Sequence, residues 1–576
     1  MSPIFRLFES SKNLLTKRDD SILSAASLMM VILFFTKIIG LLTRSFLGYR
    51  FGLSRELDMF YVASTIPEIM SMILIFGAIS AAFIPVLSKT LIKKGDKRFA
   101  DVLSSALNIT LIAFTFIAIL CSIFAVPLLE LAIRITNPPT TFTSAEIQMM
   151  ANMMRFMFIP QIILGVSAVI SSALQVHQRF LITQIAPLVY NIGGLIGVMI
   201  LVPLMHGSIW GYIIGLFVGA ILHLLVQIPV YRQLNIKYVL SINYKLAEIK
   251  EMFRLAIPRI IGLFADQFEV IISRFVAFGM IIGSVGAYNF ALGIITIPFS
   301  LFGHTFSTAA FPFLSKDYAD NNMERFRATF IKTFQQILFF SLPVAIIVVI
   351  LRVPLVRLMF GFGGDTKFDW LATLMTAWVI LFFGFRMVFE SLAALLVKTF
   401  YSAHNTLTPV IISFISVAVG MALAILLSNY FSHFSYFSIR QFTPDQFDFS
   451  YFFSSVDGPP AVGGIALGSS LSVVIDVLLL LILMNRQIIK IFTRDFLGPV
   501  AKKLIAAGIT FLLMYFMYNR WNDIVDTAKT INVFIMTMLN AMLGMSIFFT
   551  IEAFFNDEEV MMVYRFLQRK IKLLRD

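Results

Sequence analysis

The chain has 576 residues, of which 59% are hydrophobic and 13% charged, and its mean hydropathy is +0.89. That is too apolar for a soluble globular protein and predicts an all-α polytopic membrane protein. A net charge of +13 would suggest nucleic acid in a soluble chain. Here the cations sit in short connections between apolar runs, as membrane orientation requires, so no nucleic-acid partner is expected. The single cysteine, Cys121, excludes an internal disulfide and any multi-cysteine metal site.

Residues 1–22 read as a cytoplasmic amphipathic segment, with Phe5, Phe8, Leu14 and Leu15 among Arg6, Lys12, Lys17 and Arg18. No cleavable signal peptide is expected, because the first apolar run is far longer than a signal h-region. Fourteen apolar runs follow, at 23–50, 58–88, 101–135, 147–175, 181–204, 209–231, 250–279, 284–314, 328–359, 368–402, 407–430, 461–485, 498–518 and 530–555. Each is long enough to be a transmembrane helix.

The first run carries Lys37 and Arg44, seven residues apart and so on one face of a helix. A charge at mid-bilayer costs about 2.5–3.5 kcal/mol on insertion scales, so two on one face point to a protein interior or a water-filled cavity. The alternative is that they are helix-end residues snorkelling to the interface.

Lys and Arg counts set the orientation. The connection after run 2 holds Lys89, Lys93, Lys94, Lys97 and Arg98, whereas 137–144 after run 3 holds none. Cations recur after runs 6, 8 and 12 and in the tail 557–576, which places even-numbered loops and both termini in the cytoplasm. The outside loop 431–460, rich in Phe, Tyr and Ser, reads either as a lid or partner surface or as a tolerated insertion.

An internal repeat organises the chain. Thr36-Lys37-Ile38-Ile39-Gly40-Leu41 returns as Pro258-Arg259-Ile260-Ile261-Gly262-Leu263, and Ala81-Ala82-Phe83-Ile84-Pro85 returns at Ala309-Ala310-Phe311-Pro312. The offset of six helices predicts two lobes of like orientation, 23–235 and 247–490, with 497–556 outside the duplication. Run 7 is the most polar, with Arg259, Asp266, Gln267, Glu269 and Arg274. Its charges read either as ligand groups or as a structural network. Run 2 opens with Asp58 and carries Glu68 beside Pro67, a pair able to bend the helix. If runs 1, 2, 7 and 8 face one another, Lys37, Arg44 and Arg259 line a cationic cavity with Asp58, Glu68 and Asp266 near it. Cations of this kind suit a phosphate or diphosphate ligand. Arg386 and Glu390 pair at i,i+4, and Arg155, Asn191, Asn289, His304 and Asp476 read as locally hydrogen-bonded.

At these motifs the chain resembles the MurJ (MviN) family of lipid II flippases, within the multidrug/oligosaccharidyl-lipid/polysaccharide exporter superfamily. The resemblance is carried by Thr36–Gly52, Glu56–Ala63, Ile66-Pro67, Gly77-Ala78, Ala82–Pro85, Ala310-Phe311-Pro312 and Phe400–Pro409. It implies fourteen helices, two six-helix lobes alternating access around a cationic cavity, and a lipid-tail groove made by the last two helices. The implied activity is movement of undecaprenyl-diphosphate-linked disaccharide-pentapeptide from the inner to the outer leaflet of the bacterial cytoplasmic membrane. No enzyme chemistry and no bound cofactor are implied, and the chain reads as a monomer. Coupling is to Na+ or H+ through Asp266, Gln267 and Glu269, or to the membrane potential alone. The sequence departs from the family pattern where a second arginine of helix 1 would fall on Thr43, for here the cation is Arg44. The helix 2 arginine falls on Ser71 or Met72, and that of helix 8 near Gly293. These departures keep open a flippase for another polyprenyl-diphosphate oligosaccharide. An ion-coupled drug exporter is disfavoured because its cationic substrates would meet Lys37 and Arg259.

Overall fold

A chain this apolar can satisfy its backbone in hydrocarbon only by closing hydrogen bonds within helices or a barrel. In the computed structural model it does so with helices, and no strand occurs among the described residues. Those residues are 22–72, 82–136, 142–362, 365–433, 459–527, 529–555, 557 and 559–561, with 22–30, 136, 258, 259, 261–266 and 459 described by their backbone. The N-terminal amphipathic segment and nearly all of the 431–460 loop and the basic tail lie outside them.

Twelve helices among the described residues are long and apolar enough to cross a membrane. The expected fourteen differ at two places. Run 7 is present as a helix, Ala247–Phe278, but Arg259, Asp266, Glu269 and Arg274 make it too charged for that class. Run 2 is described as Arg55–Met72 and then from residue 82 onward.

By internal contacts the chain divides into residues 1–271 and 272–576, a boundary that falls inside the polar helix. The first unit contains α1 (Ile22–Phe51), α2 (Arg55–Met72), α3 (Ile84–Ile123), α4 (Ala125–Thr136), α5 (Ser144–Val176), α6 (Phe180–Ile196), α7 (Trp210–Leu225), α8 (Ile228–Gln233) and most of α9 (Ala247–Phe278). α5 is central: it packs on α2, α3 and α7, while α6 packs on α1 and α7. The α6–α7 contact depends on glycine, since a Cβ on Gly197 would stand 2.8 Å from the Gly215 Cα. Small residues of this kind let membrane helices approach backbone to backbone.

The expected break between runs 2 and 3 is a single residue. α3 is helical on both sides of Gly95, whose φ of 74° and ψ of −178° interrupt it. Only glycine adopts that backbone without strain. The cations around this break are not simply solvated. Lys94 Nζ and Arg98 Nη2 each lie 2.8 Å from Glu248 on α9, and Lys89 lies 2.8 Å from Glu251. The segment leading into α9 is tied to α3 as well: Asn108 donates to the Ser241 carbonyl at 2.9 Å, the Tyr238 hydroxyl donates to Asn108 at 2.6 Å, and the Val239 N–H donates to Ser104 at 3.1 Å.

The second unit contains α10 (Ser284–Phe299), α11 (Thr305–Ala319), α12 (Met323–Ile350), α13 (Arg352–Phe360), α14 (Trp370–Ser402), α15 (Leu407–Phe431), α16 (Val462–Gln487), α17 (Arg494–Ile524) and α18 (Thr530–Phe554). α14 is its centre, packed on α10, α12 and α16, and α12 carries the pair α17 and α18 on its far side. One phenylalanine-rich core joins α11, α12, α14 and α16, and a second joins α12 to α17 and α18. Leu512, Phe516, Phe534 and Met542 on the last two helices stay exposed, as expected for surface that meets lipid.

The last two helices are locked by a buried charge cluster. Lys503 of α17 is fully buried and hydrogen-bonds Asp557, with Glu559 at 3.2 Å. Glu552 of α18 is also fully buried beside them. Three carboxyl groups around one ammonium crowd negative charge. Burial and the Asp557 carboxyl push Glu559 up to about 7.

Two outcomes follow from these clamps. Glu248 is held down at about 2 by hydrogen bonds from Arg98 and Lys94, working against burial. Its depressed value means that its contribution is complete above the unfolded carboxylate range and is lost only as pH falls towards 2. Limited proteolysis of 235–246 is therefore expected to be unchanged between mildly acidic and mildly basic pH, and several-fold faster in Glu248→Gln. Glu559, raised in the folded state, contributes most when protonated, and that contribution fades as pH rises through about 7. Lys503→Met strips the one cation that pairs with these buried carboxylates among the described residues, a class of change that costs about 3–5 kcal/mol. A lowered thermal midpoint, partly recovered at acidic pH, is the expected reading.

Candidate functional site

The first unit brings the sequence-selected groups of α1 and α2 to one region. Lys37 and Arg44 are both exposed, so the seven-residue spacing does put them on one open face. Among the described residues neither makes an ion pair with an acid. The opposite face of α1 is packed: Thr43, Ser45 and Leu47 are buried. Asn191 of α6 donates to the Thr36 carbonyl at 3.4 Å, and the Thr43 hydroxyl donates back to the Ile39 carbonyl at 2.9 Å. Thr43 also packs towards Gly194, whose Cβ, if it had one, would meet the threonine methyl at 3.7 Å. The one-residue offset from the family pattern therefore has a structural meaning. Position 43 faces α6, and position 44 faces open space.

Around that space the structure adds tyrosines that no sequence motif singles out. Tyr212 of α7 is within electrostatic reach of Tyr190, Tyr61, Arg44 and Glu68, and Tyr190 of α6 is within reach of Glu68. Phe60 sets the Tyr212 ring edge-on, with centroids 5.4 Å apart. The signal that could have found them is a hydroxyl inside an apolar run, which needs a polar partner when buried. Cations, phenol hydroxyls and one carboxylate around an open face can exchange hydrogen bonds with a phosphorylated or sugar-bearing group, and the carboxylate offsets part of the positive charge of the empty site.

Glu68 lies within α2, which stays helical through Pro67 as far as Met72. The Ser64 and Thr65 hydroxyls return hydrogen bonds to the Tyr61 carbonyl at 3.1 and 2.8 Å. Counted from the turn after α1 at about 1.5 Å per residue, Lys37 and Glu68 both lie roughly 20 Å in, Arg44 roughly 10 Å and Asp58 roughly 5 Å. Asp58 is thus a buried first-turn residue, about 15 Å along α2 from Glu68.

The same first turn of α2 carries a latch that the sequence did not reveal. Arg55 forms a two-point ion pair with Glu146, at 2.5 and 3.1 Å, and stacks over Phe142 at 4.1 Å. Glu56 accepts from the Ile209 N–H at 2.9 Å. The latch ties the start of α2 to α5 and to the approach to α7. Glu146 also closes a capping box with Thr143 at the head of α5.

On α9, Glu269 is buried and Gln267 half-buried, and Arg274 donates to Asn289 of α10 at 3.1 Å. The side chains of Arg259 and Asp266 lie outside the described residues. Ser71 and Gly293 are buried and Met72 exposed, so no cation occupies those family positions. The single polar groups behave largely as read. Arg155 donates to the Ser122 carbonyl and to Asn152, both at 3.0 Å, Asp476 accepts from Ser413 at 3.2 Å, and Arg386 pairs with Glu390 at 3.5 Å.

Comparison with known proteins gives this arrangement its context. The family model described as lipid II flippase MurJ matches residues 47–438, more than half of the chain. The chain belongs to that family. A probable lipid II flippase MurJ from Buchnera aphidicola subsp. Schizaphis graminum is 25% identical over 398 residues, covering 69% of this chain and 76% of the relative. The solved structure of a lipid II flippase MurJ in an inward closed conformation aligns with a TM-score of 0.69 at 22% identity, over 92% of this chain and 99% of that one. An inward-facing multidrug resistance transporter of the MATE family, in the MOP superfamily, aligns with a TM-score of 0.60 at 12% identity, over 80% and 98%. At those identities the two structures speak for the fold. The family match begins beyond Lys37 and Arg44, so their place in the site rests on geometry.

Removing the charge at Arg44 is expected to separate it from its neighbour. Arg44→Gln should lower transport at least about tenfold with little change in folding, because the side chain is exposed. Restoring a cation one residue away, as Thr43→Arg with Arg44→Thr, should lower the yield of folded protein instead, since position 43 is packed on α6. Transport in vesicles and detergent-extracted yield check the two arms.

Proposed function

We infer that this chain is a flippase that moves lipid II, the undecaprenyl-diphosphate-linked disaccharide-pentapeptide, from the inner to the outer leaflet of the bacterial cytoplasmic membrane. The family match over residues 47–438 carries the reading. The exposed cations of α1 support it, because a diphosphate needs them and a cationic drug does not. Transport is by alternating access of the lobes 23–235 and 247–490, with both termini in the cytoplasm and the protein acting as a monomer without chemistry on its substrate. Lys37 and Arg44, with Arg259, take the diphosphate, Glu68 and Asp58 balance the empty site, and the tyrosines of α2, α6 and α7 meet the sugars. The exposed apolar surface of α17 and α18 supports a role as the groove for the lipid tail.

Binding must strip water from the headgroup yet differ little between the two states, or the carrier would be trapped in one of them. An outside-positive potential favours outward movement of an anion by about 2.3 kcal/mol per charge per 100 mV. Asp266, Gln267 and Glu269 are the proposed groups if Na+ or H+ adds to that drive.

The test is to replace a conditional lipid II flippase in a bacterial host by this chain. Survival with lipid II appearing on the outer face is expected, with loss of rescue in Arg259→Gln. Survival failing despite confirmed membrane expression would assign the chain another polyprenyl-diphosphate oligosaccharide, and full activity of Arg259→Gln would remove that residue from the site.

A further inference from the structure

Far along the chain from the cations of α1, the second unit holds a cavity of about 220 Å³, with apolar and hydrogen-bonding walls, where the end of α12, the start of α14 and the α17–α18 connection meet α13. That is room for several waters or a small anion. Arg352, the first residue of α13, lines it and is only 4% exposed. One guanidinium nitrogen donates to the Val349 carbonyl at 2.9 Å, while the buried Nε has no hydrogen-bond partner among the described residues. Arg357, one turn further on, also lines the cavity and is held by the Thr527 carbonyl. Tyr515, Tyr518, Asn519 and Asn522 of the α17 end complete a wall of hydrogen-bonding groups. Among the described residues no carboxylate lines the cavity; Asp523 and Asp526 are near in sequence but do not.

A buried arginine with an unmade hydrogen bond costs free energy unless something supplies the acceptor. Two guanidinium groups, phenol hydroxyls and amides around a small open cavity are the donor set for an anion with several oxygens. We propose that this cavity binds a phosphate-bearing anion through Arg352 and Arg357. Arginine is suited to it because its planar fork matches phosphate oxygens two at a time. The phosphate can come from the headgroup of an anionic phospholipid in the leaflet that borders this end of the helices, or from a soluble phosphate. Trp370 at the rim is 58% exposed, the position of an interfacial aromatic, and it favours the lipid source. The site does not depend on the flippase reading, because it concerns binding at one end of the second unit.

The experiment uses the full chain, purified and reconstituted in nanodiscs of phosphatidylcholine with or without phosphatidylglycerol. Retained phosphatidylglycerol is counted by native mass spectrometry, and thermal midpoint is followed against inorganic phosphate in the lipid-neutral discs. Arg352→Gln is compared with Arg232→Gln, which removes a cation elsewhere. Loss of about tenfold or more in phosphatidylglycerol retention in Arg352→Gln alone supports the lipid source. Stabilisation by phosphate that vanishes in Arg352→Gln, without lipid retention, supports the soluble source. Should Arg352→Gln fail to fold, Asn522→Phe decides, since it plugs the cavity from an exposed rim position and should abolish binding with folding intact. Retention and stabilisation that are absent in the wild type, or unaffected by both variants, overturn the proposal.

Discussion

An ionised side chain without a partner is the costliest group that a helix bundle in lipid can hold, and the placement of charge in this chain obeys that constraint. Arg55 is matched by Glu146, Lys94 and Arg98 by Glu248, Lys503 by Asp557 and Glu559, and Arg386 by Glu390. These pairs join helix ends or neighbouring turns, where their energy fixes how segments meet. Lys37 and Arg44 differ. They stand exposed on one face of α1 without an acid partner among the described residues, which is tolerable only if that face meets water or a charged ligand. The same constraint therefore sorts structural cations from those available to a substrate.

The sorting is reinforced by what surrounds each class. The Glu248 clamp sits where α3 breaks at Gly95, and the hydrogen bonds from Asn108 and Ser104 hold the segment before α9 against α3. The Arg55 latch is likewise backed by a capping box and by the Glu56 contact to Ile209. Each clamp couples a charge pair to backbone hydrogen bonds, so it resists solvent competition better than an isolated surface pair would. Around Lys37 and Arg44 the described residues give no such backing beyond the tyrosines of α2, α6 and α7.

Much of this was legible in the sequence because it depends on local rules. Apolar run length gave the spanning helices, and the rarity of charge within them picked out Lys37 and Arg44. The i,i+4 spacing gave Arg386 with Glu390, and single polar groups such as Arg155 and Asp476 find nearby partners as expected. What escaped depends on contacts between residues far apart in the chain. Arg55 and Glu146 are 91 residues apart, and nothing in either local sequence marks the other. Tyr190 and Tyr212 look like ordinary members of apolar runs until folding places them beside Glu68. The basic residues at 89–98 set the membrane orientation in the sequence, and their second use in gripping Glu248 and Glu251 is invisible without the fold. The same holds for Lys503, which a hydropathy reading treats as a helix-end cation and which the structure buries completely.

The offset at positions 43 and 44 shows how packing and charge placement decide together. α6 can lie close to α7 because glycines let the two backbones meet at Gly197 and Gly215, and that contact leaves little slack in the position of α6 against α1. Thr43 fills the resulting interface with a methyl group and satisfies its hydroxyl on its own helix. A guanidinium at this point would have to be buried against α6, at a cost of several kcal/mol. One residue later the helix has turned by about 100°, and Arg44 reaches the open face with Lys37 two turns away. A second cation on that face is therefore compatible with this α1–α6–α7 packing at position 44 and not at 43, so the departure from the family pattern keeps the charge and changes the residue that bears it.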